Sequence, residues 1–370
     1  MKPLTNLFHT LKKGLLVTAR IMLITGIATL IAGCQTFAGP LSDGPAKDIN
    51  KLNCSLKGHV YDFSFNHGKD NRIYSECLEL KRDLYVYTPP KYDPKERYPL
   101  VIWMHGYSQD EKSFLEIIDK FDKAIAEGMF PKAVIAAPDG SPQGRASFFD
   151  PGTLFLNSPL GRFEDYVVYD VYNHVVKNFS IRPERESHIL AGASMGGFAA
   201  FNLGFKHKDR FGVLIGIHPP LNLRYADCRG RTRTDFDPNC FSLTDRYRPF
   251  APVAQFYGGL ITIRQRRILA PVFGEEPNVV GRVALQNPYE MLDTYNIKPG
   301  DFSMFIGYGN EDEFNFDAHC ESFLYKTRQM GIRVYSVKVI GGHHDRATAL
   351  KMLPTLGEWI TPVVGPYSPK

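Results

Sequence analysis

The stretch from His188 to Ile217 most narrows what this chain can fold into. His188-Ile189-Leu190-Ala191 is short and apolar, as a buried strand is. Gly192 to Gly196 then fits G-x-S-x-G, with Ser194 at its centre. Phe198, Phe201, Leu203 and Phe205 follow in a proline-free run that closes on Lys206-His207-Lys208-Asp209-Arg210, the pattern of a helix. Phe211 to Ile217 reads as a second buried strand. Strand, tight turn, helix, strand is the setting in which a serine at a strained turn serves as a nucleophile. The glycines let that turn pass close to its neighbours. The pentapeptide recurs by chance in long chains, so the flanking pattern carries the reading.

The same rhythm extends on both sides. Gly58 to Phe65 and Lys81 to Thr88 alternate as half-buried strands do, with the turn-like NHGKDN between them. Leu100 to Met104, Ala133 to Ala137, Phe302 to Tyr308 and Val334 to Ile340 read as buried strands. Helices are expected over 111–127, 164–179, 317–330 and near 350–360. Strands alternating with helices from about residue 100 predict an α/β fold, a mostly parallel central sheet with helices on both faces. Ligands of such sheets sit beyond the carboxyl ends of the strands. His105-Gly106, Asp139, Ser194, Asp312 and His344 all follow predicted strands there. Residues 221–285 break the rhythm with many Arg, Pro and Gly, and are expected to form a lid-like insertion.

A serine hydroxyl is a poor nucleophile until a histidine within hydrogen-bond reach takes its proton and a carboxylate fixes that histidine. Chain order supplies Ser194, then an acid, then a histidine. Glu311, Asp312, Glu313, Asp317 and Glu321 compete for the acid. The G-x-x-D shape of Gly309 to Asp312 favours Asp312, with Glu311 the alternative. His343 and His344 compete for the base, and His344, beside Asp345, is preferred. An oxyanion hole needs two backbone N–H groups. Met195 follows the nucleophile and Tyr107 follows the His105-Gly106 strand end. The His105 side chain is expected to hold the loop. His218 and Arg224 are candidate substrate-binding residues, with packing an equal reading. The arginine runs 229–233 and 264–267 read as a solvated lid surface. No C-x-x-C or H-E-x-x-H occurs, so neither a metal nor another cofactor is expected.

The first 33 residues stand apart. They carry four basic side chains and no acid; without them 40 basic residues face 39 acidic ones, a balance that gives no reason to expect nucleic acid as a partner. Lys12, Lys13 and Arg20 precede thirteen uncharged residues, too few for a span of ~20 but suited to a signal-peptide core. Ile31-Ala32-Gly33-Cys34 resembles a bacterial lipobox, which implies cleavage and lipidation at Cys34. Residues 34–50 are then the lipidated cysteine and a flexible tether to a domain at 51–370, and Gln35 points to the outer membrane, periplasmic or surface-facing. Disulfides suit an exported protein; Cys228 with Cys240 and Cys54 with Cys77 are the expected pairs, leaving Cys320 free and buried.

The stretches RDLYVYTPPKYD (82–93), YPLVIWMHG (98–106), FEDYVVYD (163–170), AGASMGGFAA (191–200), GNEDEF (309–314) and GGHHD (341–345) resemble the "Putative esterase" family of α/β-hydrolases. That family includes feruloyl and acetyl-xylan esterases, S-formylglutathione hydrolases, enterochelin esterases and mycolyltransferases. The resemblance implies an α/β-hydrolase fold, Ser194 as nucleophile with Asp312 and His344, and hydrolysis of a small-molecule or glycan ester. The insertion looks longer than in compact members, so substrate identity does not transfer. Acyl transfer on the same fold and a catalytically inactive ligand-binding lipoprotein are the alternatives.

Overall fold

The computed structural model describes residues 48–66, 68–256 and 260–370. The predicted signal segment, Cys34 and most of the tether lie outside them. Eight strands form the central sheet: β1 (His59–Phe63), β2 (Leu84–Thr88), β3 (Leu100–Met104), β4 (Val134–Pro138), β5 (His188–Ala193), β6 (Val213–Ile217), β7 (Ser303–Gly309) and β8 (Tyr335–Val339). Their spatial order is β1-β2-β4-β3-β5-β6-β7-β8. β2 runs antiparallel to β1 and β4, and every other pairing is parallel. β5 and β6 are buried at every residue, as strands covered on both faces are.

Side chains alternate between two apolar layers. Leu84, Ile102, Leu190, Leu214 and Ile306 face one layer, with Phe198, Phe201 and Phe205 of α4 (Met195–Lys206) and Phe323 of α6 (Phe316–Gln329). The opposite layer packs Ile189, Ile215 and Phe305 against Met352, Leu356 and Ile360 of α7 (Arg346–Val364). Tyr85, Tyr87 and Ile135 continue that side against Ile118 and Ile125 of α2 (Ile118–Ala126). α4 is buried from Met195 to Phe205, which explains why its sequence is apolar all round.

Two predicted helices are less regular than their periodicity suggests. Over 111–127 the chain runs as a 3₁₀ helix from Glu111 to Glu116 before α2 begins. Over 163–178 a π-helical stretch, Tyr166–Val171, precedes α3 (Tyr172–Asn178). The wider turn buries Tyr166, Val167, Val168 and Val171 together, so tertiary burial overrides the 3.6-residue period.

The expected disulfide between Cys228 and Cys240 is formed. The expected Cys54–Cys77 pair is not: Cys54 is an exposed thiol and Cys77 a half-buried one. Cys54 belongs to α1 (Ile49–Ser55), whose neighbours Leu52 and Leu56 pack with Tyr85 and Tyr87. Cys77 packs in the layer of Leu84 and Val86, across the sheet. Cys320 is a free, buried thiol on α6, as expected, and its Sγ donates to the Pro219 carbonyl.

Candidate active site

Parallel register brings the site together. β5 pairs Gly192 with Met104 of β3 on one side and with Gly216 of β6 on the other. The residues just past those partners, His105 to Tyr107 and His218, therefore flank Ser194. Ser194 itself sits between β5 and α4 at φ 54°, ψ −114°, a conformation L-residues avoid. Its N–H donates to the Ile217 carbonyl at 2.8 Å. The glycines of the motif are steric requirements. A Cβ on Gly192 would lie 2.5 Å from the Met104 carbonyl oxygen, and one on Gly196 only 1.9 Å from it.

The acid and the histidine come from the next two strand ends. Gly309 and Gly342 touch so closely that a Cβ on Gly309 would lie 2.2 Å from the Gly342 oxygen. This contact draws the loop after β7 against the loop after β8, and the Glu311 N–H donates to Gly342 across it at 2.8 Å. Asp345 caps α7 by accepting from the Thr348 N–H, so His344 stands immediately before a fixed helix end.

The result is a continuous hydrogen-bonded chain. His344 Nδ1 lies 2.7 Å from Asp312 Oδ2, and His344 Nε2 lies 3.0 Å from Ser194 Oγ. A carboxylate can only accept, so Nδ1 carries the proton and Nε2 is the acceptor for the serine hydroxyl. The second Asp312 oxygen accepts from the Phe314 N–H at 2.8 Å. Burial alone would raise the Asp312 pKa. The charge and hydrogen bonds of His344 and His218 more than reverse that, and hold it well below the usual carboxylate range. The rings of Phe314 and Phe316 pack on His344, with centroids 4.7 and 5.3 Å away.

The competing residues take other places. Glu311 and His343 are exposed at the loop surface. His343 Nδ1 bonds Glu313 Oε1 at 2.9 Å, while Glu313 Oε2 accepts from the His344 backbone N–H at 3.0 Å. Glu313 thus braces the loop that carries His344, a role the sequence did not suggest. Asp139 is buried in an ion pair with Arg82 at 3.0 Å. His105 holds its loop as expected. Nδ1 bonds the Gly106 carbonyl at 2.9 Å, and Nε2 accepts from the Gly140 N–H at 2.9 Å. Gln109 Oε1 accepts from the Gly106 N–H at 2.8 Å, so Tyr107 lies in a turn pinned at its start. Met195 is the first residue of α4, where an N–H has no acceptor within its own helix.

For His218 and Arg224 the structure favours packing, the reading that stood beside substrate binding. His218 is wholly buried beside Asp312 and does not line the cleft. Arg224 binds Glu290 at 2.6 Å and the Thr244 carbonyl at 2.9 Å, tying the insertion to α5 (Pro288–Thr294). The cleft over Ser194, about 110 Å³, is walled by Leu223, Tyr225, Val253, Ile268, Phe314 and His319, among others. Arg233, from a run expected to be a solvated surface, also lines it. Tyr225, Val253 and Ile268 come from the 221–285 insertion, which has no recognisable spacing, so sequence reasoning missed them. Burial pushes the His319 pKa down to about 4, so this wall residue is neutral at physiological pH. A crevice of only about 10 Å³ beside Met195 is lined by Ser108, Gln109, Ser141, Pro142, Asp150 and Pro151, among others. An apolar cavity of about 80 Å³ beneath the opposite sheet face, near Trp103 and Leu356, contains none of Ser194, Asp312 and His344.

A sheet of this order with a serine elbow at its centre is an α/β-hydrolase fold. The "Putative esterase" family matches residues 75–346, and the chain belongs to that family. It is 24% identical over 169 residues to an S-formylglutathione hydrolase of Arabidopsis thaliana, covering 42% of this chain and 58% of that one. The chain thus spans less than two thirds of the length of the curated relatives it matches. Among solved structures, an S-formylglutathione hydrolase from Agrobacterium tumefaciens superposes with a TM-score of 0.58 at 15% identity, over 84% of this chain and 97% of the other. A ferulic acid esterase superposes with a TM-score of 0.56 at 17% identity, over 84% and 100%.

Proposed function

We propose that this chain is a serine carboxylic-ester hydrolase working through an acyl-enzyme on Ser194. The observation that carries this is the Ser194–His344–Asp312 hydrogen-bonded chain at the carboxyl ends of β5, β7 and β8. Ser194 Oγ attacks the ester carbonyl carbon as its proton passes to His344 Nε2. The tetrahedral oxyanion is received by the N–H groups of Met195 and Tyr107, donors held in place before the reaction begins. On collapse the C–O bond to the alcohol breaks, and the alcohol leaves with the proton from Nε2. Water then gives its proton to Nε2 and attacks the acyl carbon. The second collapse frees the carboxylic acid and returns the proton to Ser194. Asp312, anionic throughout, stabilises the transient imidazolium.

The apolar cleft over Ser194, with its neutral His319, suits an apolar acyl group. Relatives named as S-formylglutathione hydrolases and ferulic acid esterases support ester cleavage as the reaction class. Turnover of short-chain and aryl p-nitrophenyl esters, with fluorophosphonate labelling, tests the reading. Both are expected in the wild type and lost in Ser194→Ala; a wild type that neither turns over nor labels would refute it. We further infer from the lipobox-like Ile31 to Cys34 that the enzyme is an exported, lipid-anchored protein of the outer membrane. Incorporation of labelled palmitate that persists in Cys34→Ala would overturn that placement.

A further inference from the structure

We propose that His218 is a positioning residue for Asp312, a second imidazole that steadies the carboxylate on which His344 depends. This rests on the catalytic reading above. His218 is the first residue after β6, at the same end of the sheet as Ser194. It is held at φ 49°, a left-handed conformation that is uncommon for a residue with a Cβ. Its N–H donates to the Gly307 carbonyl of β7 at 2.6 Å, and Pro219 and Pro220 follow it directly. Strained backbone of this kind persists where the surroundings over-determine it, and an observed outlier is a reason to look for function.

The ring gives that reason. His218 Nδ1 lies 3.7 Å from Asp312 Oδ2, the same oxygen that accepts from His344 at 2.7 Å. The two imidazole centroids are 5.1 Å apart. Asp312 Oδ1 is fixed by the Phe314 N–H, and Oδ2 is flanked by both rings. A carboxylate turns readily about its last torsion. The Asp312 side chain is wholly buried. The His218 ring opposes the rotation that would carry Oδ2 away from His344. Nδ1 can accept from the Gly309 N–H, 3.4 Å away, or present its own proton to Asp312, but not both. The full charge of the carboxylate favours the protonated Nδ1. Burial keeps the pKa of His218 below its ordinary value, so the ring stays neutral and does not compete with His344 as the cation paired to Asp312.

At 3.7 Å the contact is electrostatic rather than a full hydrogen bond, so its loss slows the reaction without abolishing it. The test compares His218→Asn, whose amide N–H stands near the Nδ1 position, with His218→Leu, which fills the space but cannot donate. His218→Asn is expected to keep kcat within about fivefold. His218→Leu is expected to lose about 10- to 100-fold in kcat and in the rate of fluorophosphonate labelling, with KM little changed. Should the leucine variant fail to fold, His218→Ala replaces it in the comparison. Asn and the apolar variant reacting equally fast, or the apolar variant faster, overturns the proposal, because packing alone would then account for the residue. A wild type without turnover or labelling would refute the esterase reading itself, so the two failures are distinct.

Discussion

Gly196→Ala tests the elbow most directly, because the added atom meets backbone that cannot step aside. The new Cβ would lie 1.9 Å from the Met104 carbonyl oxygen, 2.4 Å from its carbon and 2.8 Å from the His105 oxygen. To reach even 3.0 Å from the nearest atom, the start of α4 and the end of β3 must part by about 1.1 Å. Those two elements carry Met195 and the turn to Tyr107, the proposed oxyanion donors. A misplacement of ~1 Å in a catalytic array costs about 100-fold in rate. Overpacking costs about 1–3 kcal/mol, partly offset by the roughly 1 kcal/mol that alanine gains over glycine within a helix. The matched control is Gly204→Ala, on the same helix, whose Cβ would meet the Leu214 side chain first, at 2.3 Å. Both variants should lose modest stability in thermal melts, but only Gly196→Ala should lose about two orders of magnitude in kcat/KM for p-nitrophenyl acetate. Wild-type turnover in Gly196→Ala, or equal losses in the two variants, would refute the reasoning.

Two further predictions address the neighbouring loops. His344→Ala should lose about 10⁴-fold or more in kcat, whereas His343→Ala, whose half-exposed ring only meets Glu313 and Glu311, should stay within about threefold; steady-state kinetics decide, and the reverse order would move the base to His343. Burial, reinforced by the charge of Asp312, pushes the Asp317 carboxyl up to about 7. A raised acid pKa means that folding favours the protonated form, so its contribution is full below about 3.9 and is lost as pH rises through about 7. Asp317→Asn, permanently neutral, should therefore melt with the wild type near pH 4 and above it at pH 8; a gap that does not widen over that range would contradict this environment for Asp317.

Much of this protein was legible from local pattern. The run from His188 to Ile217 named its own strand, elbow, helix and strand because those states depend on residues a few positions apart. Glycine at 192 and 196 signalled the close backbone approach to Met104. Ser194, Asp312 and His344 could be nominated because each follows a strand, and parallel strands deliver their carboxyl ends to one edge. Contacts between distant segments were decided only by the fold. Cys54 and Cys77, 23 positions apart in an exported-looking chain, invited pairing, yet α1 lies on one face of the sheet and Cys77 on the other. His218 could be read equally as a pocket or a packing residue until the β6–β7 pairing placed its ring beside Asp312. The cleft walls from the insertion and the bracing of the His344 loop by Glu313 have no periodic signature. Strand and helix patterns are written by short-range sterics and burial, whereas such contacts depend on how separate segments are brought into register.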